Sequence, residues 1–304
     1  MNEAGTLGVR AGQSGVETVT LDDGAAMAVR VSGSGDPLLL VHGWAAHGGF
    51  FEGLADALSD SFSIIVPDLR GHGATGRGEG PLTMARLADD LHALLRVLDL
   101  RNAVAVGWSM GAMVLWSMIG RHGADRLAGL VTIDMSPRIL NDADWTLGMQ
   151  TGLDRAASAQ IETAMRTGWP AYAAAFAPRM FARPENGQLP DILPWAVDQM
   201  AGNDADAMAE LWGAMADTDC RDTLAGIRIP ALVTYGALSQ AYSPETSRHL
   251  AAAMPDARLK GFARSGHAPH LEEPDAFARA ITDFAREVQT APAQPEFTRG
   301  VRHD

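Results

Sequence analysis

Four short stretches of the chain are apolar almost without interruption: Leu38–Val41, Ile64–Val66, Ala103–Val106 and Leu130–Ile133, the last broken only by Thr132. A strand with one face in water alternates apolar and polar residues, so unbroken runs mark strands buried on both faces. Helical patterns separate the runs, as in a mostly parallel sheet flanked by helices. Thr83 can cap a helix in which Leu87, Leu91, Leu94, Leu95 and Leu98 recur at the helical period. Met110–Gly120, Pro244–Met254 and Pro274–Val288 make three more helices, the last with Pro near its N-terminus. Two late strands are expected at Ala231–Tyr235 and Arg258–Phe262, and an opening pair at Val16–Thr20 and Ala25–Val31 around a turn at Asp22–Gly24. The fold class is α/β.

Between Ile139 and Arg221 the alternation stops. This stretch has no strand pattern and carries Trp145, Trp169, Tyr172, Phe176, Phe181, Trp195 and Trp212, interleaved with methionines. It reads as an inserted helical cap. Most of these residues belong to the cap's own core, and a minority line an apolar pocket facing the sheet. Trp108, Trp145, Trp169 and Phe176 are the expected lining. The boundaries are 1–138 for the first part of the sheet domain, 139–222 for the cap, 223–289 for the rest of the sheet domain, and 290–304 for a loose, aperiodic tail.

Composition excludes several partners. The 304 residues hold 24 Lys and Arg against 37 Asp and Glu, a net charge of -13. Binding a polyanion needs clustered cations, so nucleic acid and anionic membrane are excluded as partners. Lys260 is the only lysine. No apolar run approaches the ~20 residues that span a bilayer. The opening residues lack a basic stretch followed by an apolar one, so no secretory signal is expected there. Cys220 stands alone and cannot close an internal disulfide. The expectation is a cytoplasmic protein with no metal and no organic cofactor; the sequence sets no oligomeric state.

Gly107-Trp108-Ser109-Met110-Gly111 follows a buried strand and opens a helix. This is a G-x-S-x-G pattern in strand–turn–helix context, where a sharp turn presents a serine hydroxyl above the sheet. The glycines allow strand and helix to approach without a Cβ clash. An earlier strand ends in Val41-His42-Gly43-Trp44, and Ser265-Gly266-His267-Ala268-Pro269-His270 lies between the last strand and the last helix.

On these three stretches the chain resembles the α/β-hydrolase superfamily, over Pro37 to about Ile133 and again from Ile227 to Val288. The resemblance implies an α/β-hydrolase fold and a serine nucleophile, Ser109. His267 takes the position of the general base, with His270 a structural neighbour. The backbone N–H groups of Trp44 and Met110 form the oxyanion hole, since a tetrahedral oxyanion needs two fixed donors. Pro67-Asp68-Leu69-Arg70-Gly71-His72-Gly73 also resembles a family stretch. It is read as structural, with Gly71 and Gly73 shaping a turn and Asp68 and Arg70 tying loops together.

The acid departs from the commonest family pattern. Many members carry an aspartate in the loop after the penultimate strand, but Gly236–Ser243 holds no carboxylate, and Glu245 reads as a first-turn helix residue. Some members place the acid one strand after the nucleophile strand instead. Asp134 ends the strand Leu130–Ile133 and should emerge at the same sheet edge as Ser109. The order Ser109, Asp134, His267 keeps the family's chain order.

The implied activity is hydrolysis of a carboxylic ester, lactone or thioester of a hydrophobic small molecule through an acyl-enzyme. A second reading is a cofactor-free ring-cleaving dioxygenase on the same fold. That small group resembles this chain in the His-Gly-Trp loop and in the place of its aspartate.

Overall fold

The computed structural model describes residues 15–183 and 190–290. Eight strands form one sheet in the order β1-β2-β4-β3-β5-β6-β7-β8. They are β1 (Gly15–Thr20), β2 (Ala26–Gly33), β3 (Asp36–Val41), β4 (Phe62–Pro67), β5 (Ala103–Trp108), β6 (Leu127–Ile133), β7 (Ala231–Gly236) and β8 (Ala257–Phe262). β1 and β2 make the expected hairpin, and β2 also pairs antiparallel with β4. Every later pairing is parallel. The unbroken apolar runs lie where both faces are covered. Leu38 to Val41 and Val104 to Val106 have no measurable exposure. The outermost strand β8 is the contrast, with Arg258 to Gly261 exposed.

Ten helices flank the sheet among the described residues: α1 (Glu52–Leu58), α2 (Met84–Val97), α3 (Met110–His122), α4 (Arg155–Phe176), α5 (Leu193–Ala201), α6 (Ala205–Asp217), α7 (Arg221–Leu224), α8 (Pro244–Ala253), α9 (Pro269–Glu272) and α10 (Pro274–Thr290). Thr83 caps α2 by accepting the Arg86 N–H. α10 buries Phe277, Ile281, Phe284 and Val288 along one face.

Between β6 and β7 the described residues from Arg155 onward carry four helices, α4 to α7. The first residues after β6 are irregular, for a local reason. Asn141 accepts the Gly148 N–H and donates to Met149 O, while Asp142 accepts the Asp144 N–H. Such side chains offer the backbone an alternative to helix. α4 is kinked at Gly168, just before Pro170, a residue that cannot donate to the helical ladder. The expected tail lies, beyond Thr290, outside the described residues, as do residues 1–14. Among the described residues no helix is long and apolar enough to cross a membrane.

Candidate active site

The parallel strands β3, β5, β6, β7 and β8 bring their C-terminal ends to one edge, and the candidate catalytic residues follow them. β5 is central, between β3 and β6. At its end Ser109 turns the chain into α3 with φ +53° and ψ -122°. This is strained backbone for a residue with a Cβ, costing on the order of 1–3 kcal/mol, and it persists only because neighbours hold it. The Ser109 N–H donates to Ile133 O of β6 at 2.9 Å, and Ser109 O accepts from Ala112 N at 2.8 Å. The flanking glycines are required: a Cβ on Gly107 would lie 2.6 Å from Ala112 N, and one on Gly111 would lie 2.7 Å from His42 O.

Asp134 follows β6 and is buried, with φ +46°. Its N–H donates to Thr234 O of β7. Its Oδ2 accepts His267 Nδ1–H at 2.6 Å and the Ser239 hydroxyl at 2.6 Å. Oδ1 has no partner among the described residues. Because a carboxylate accepts from Nδ1, the neutral form of His267 keeps Nε2 as an acceptor.

His267 is held through its backbone. Its N–H donates to Met180 O at 2.8 Å, and its carbonyl accepts the Trp108 indole N–H at 2.8 Å. Glu272 accepts the Gly266 and Ala182 N–H groups, each at 2.7 Å, which ties the histidine loop to the inserted segment. Burial pushes its carboxyl up to about 7. His270 is buried against Phe51, Trp108 and Phe277. Burial drives its pKa down to about 3, so it is a neutral packing residue. Glu245 opens α8 and pairs with Arg248 on the surface.

Ser109 Oγ touches Met135 Sδ at 4.0 Å, and no hydrogen bond joins it to His267. Such bonds are often loose and tighten around a bound carbonyl. Ser109 and His267 line one small cavity of about 40 Å³, walled by Trp44, Trp108, Phe176, Trp212, Met180 and Met215, with Gly43, Ile139, Met149, Ala241 and Tyr242 completing it. The Trp44 and Met110 N–H groups have no partner among the described residues. For Met110 that follows from its place as the first residue of α3. A larger open cleft of about 810 Å³, near Arg77 and Asn203, contains none of these residues.

The expected pocket residues divide. Trp108 and Phe176 line the cavity. Trp145 does not, because its indole N–H is turned to Arg138 O and its ring packs on His249 beneath Arg221. Trp169 stands behind Trp44, edge-to-face at 5.5 Å, and donates to Met200 O. Sequence reasoning missed Ser239, Tyr242, Trp212 and Met215. The signal for Ser239 was present: it lies in the loop where many family members carry their acid. Tyr242 is buried with its ring 5.9 Å from that of His267. Burial and the nearby Asp134 charge hold its phenol far above its ordinary value, so it stays protonated.

Residues 36–274 match the model of the alpha/beta hydrolase fold family. The chain is 31% identical over 256 residues to a pimeloyl-acyl-carrier-protein methyl ester esterase of Vibrio cholerae, covering 84% of this chain and 96% of that one. An esterase from Thermogutta terrifontis superposes with a TM-score of 0.80 at 27% identity, over 91% of this chain and 100% of the other. An esterase from Exiguobacterium antarcticum gives 0.83 at 21% identity, over 90% and 100%, a likeness of fold alone.

Proposed function

Because the chain belongs to the alpha/beta hydrolase fold family, we propose that it is a serine carboxylic ester hydrolase acting through Ser109, His267 and Asp134. The observation that carries this is the 2.6 Å contact of His267 Nδ1 with Asp134 Oδ2, beside a strained Ser109 that shares its cavity. In this reading Ser109 Oγ attacks the acyl carbonyl while His267 Nε2 takes its proton. Asp134 holds the tautomer and stabilises the imidazolium that forms. The Trp44 and Met110 N–H groups receive the oxyanion. His267 then protonates the departing alkoxide, and a water activated by the same imidazole releases the acid.

The cavity wall supports a small, hydrophobic, uncharged substrate. The indole N–H groups of Trp44, Trp108 and Trp212 are all turned to protein acceptors: Met208 O, His267 O and Ser158 Oγ. Among the described residues no Asp, Glu, Lys or Arg side chain lines the cavity to receive a charged substrate group. Residues 139–222, which we read as the cap, carry thirteen Asp and Glu against five Arg, a balance that repels anions. The Vibrio cholerae relative is named for a methyl ester. A small alcohol part of that kind suits the narrow space here, so we propose methyl and other short-alcohol esters of hydrophobic acids. The single, buried Cys220 is compatible with the reducing cytoplasm, where we place this activity.

The test pairs hydrolysis of such esters with a fluorophosphonate label. The wild-type chain should turn over and take the label at Ser109, and Ser109→Ala should lose both; undiminished turnover in that variant would sink the reading. None of the relatives described above supports the ring-cleaving alternative.

A further inference from the structure

Two buried imidazoles outside the triad form a reciprocal bridge. His42, at the end of β3, accepts the Leu69 N–H on Nε2 at 2.9 Å. Leu69 belongs to the loop after β4. His72, from that second loop, accepts the Ala45 N–H on Nε2 at 3.2 Å. Each loop therefore lends a histidine to the other's backbone. Because each Nε2 is an acceptor, each Nδ1 carries the proton and donates to a carbonyl: His42 to Gly43 O at 2.8 Å, and His72 to Arg70 O at 3.3 Å. The rings meet edge to face with centroids 5.0 Å apart, and neither is more than 1% exposed.

What the bridge holds is the peptide unit between Gly43 and Trp44. Its carbonyl is the group bound by His42, and its N–H is the Trp44 donor assigned above to the oxyanion hole. In a trans peptide the C=O and N–H point in opposite directions. Fixing the carbonyl therefore aims the N–H, and a hydrogen bond accepted at the oxygen strengthens the donor at the nitrogen. His72 anchors the next peptide through Ala45, a non-glycine residue at φ +59° that needs such support. A turn bond from Ala46 N to Gly43 O at 3.3 Å closes the loop.

We propose that His42 and His72 are positioning residues that orient and polarise the Trp44 N–H for the oxyanion. This rests on the esterase reading above. The bridge needs both imidazoles neutral, because a protonated ring offers no acceptor to Leu69 or Ala45. Their surroundings favour that state. Burial lowers His42 to about 4 against the pull of the Asp68 carboxylate, with His47 and Arg30 adding to the lowering. Burial and the facing His42 hold His72 well below its ordinary value, again against Asp68 and with His47 on the lowering side. Asp68 is itself paired with Arg30 at 2.6 Å.

The test uses His72→Phe and His72→Gln in the full chain, with a methyl ester as substrate and a boronic acid as mimic of the tetrahedral adduct. His72→Phe should lower kcat by about 10²-fold, the order seen when an oxyanion donor is removed or misplaced. KM should stay within about threefold, because ground-state binding does not use the donor. Boronate affinity should fall with kcat. His72→Gln, which can still accept from Ala45, should recover most of the loss. A loss in KM alone, an unchanged boronate affinity, or equal effects of the two variants would overturn the proposal. If His72→Phe fails to fold, imidazole ¹⁵N spectra of the wild-type chain at pH 6 decide. Two neutral Nδ1–H tautomers support the bridge, and an Nε2–H or charged ring at either position refutes it. A wild-type chain that neither hydrolyses esters nor takes the fluorophosphonate label defeats the esterase reading itself, an outcome distinct from these.

Discussion

The loops that leave β6 and β7 stand side by side and do complementary work. The strands pair in parallel, with Ile133 opposite Thr234, so both loops open at the same level beside the histidine loop. After β6 the chain supplies a carboxylate, Asp134. After β7 it supplies a hydroxyl, Ser239, where many relatives of this fold carry their acid. The hydroxyl donates to the same Oδ2 that receives His267, and it accepts the N–H groups of Ala241 and Tyr242 at 3.1 and 3.4 Å. The second loop thus still points a polar side chain at the histidine's partner. The charge has moved one strand over, and a neutral donor remains to orient it. On the proposed triad, the difference teaches that reach to the imidazole, and not a particular strand, sets the acid's place.

The largest expected effect breaks this arrangement outright. Asp134→Asn should lower kcat by about 10⁴-fold, as when a triad carboxylate becomes an amide and the imidazole loses its tautomer; steady-state kinetics on a short ester would check it, and a loss under tenfold would remove Asp134 from the triad. The next tests interchangeability. Adding Ser239→Asp to Asp134→Asn should restore kcat at least about tenfold over the single variant, since the hydroxyl and Nδ1 already share one carboxylate oxygen. No recovery would show that reach to the imidazole does not suffice. The smallest is Ser239→Ala, expected to lower kcat by about tenfold. It should cost about 1–3 kcal/mol of stability, measured by denaturant unfolding, because one acceptor on a buried charge loses its donor.

Much of this was legible in the sequence because it follows from periodicity and local sterics. Short apolar runs marked β3, β4, β5 and β6, and the spacing of Gly107, Ser109 and Gly111 marked the turn between β5 and α3. The place of Asp134 was readable from one helix plus one strand of chain. The cap resisted. Trp145 and Trp212 are both buried tryptophans of that segment, and the sequence holds nothing to say that one indole turns to Arg138 while the other borders the cavity. That depends on how irregular loops pack against distant helices. His42 and His72 were visible as residues, but their exchange of acceptors across two loops is a tertiary fact. Ser239 stood in a loop that showed what it lacked, a carboxylate, more readily than what it held.

The cavity beside Ser109 has a consequence for how the protein responds to physical force. About 40 Å³ of water-accessible space is small beside the ~300–1,000 Å³ of ordinary ligand sites. Even a short ester must part the methionines and aromatic rings around it before the carbonyl reaches Ser109. Where that parting opens more space than the ester fills, binding carries a positive volume change that hydrostatic pressure opposes. Modest compression should therefore slow turnover well before it unfolds the sheet, so the enzyme would report on pressure through its roof and not through its chemistry.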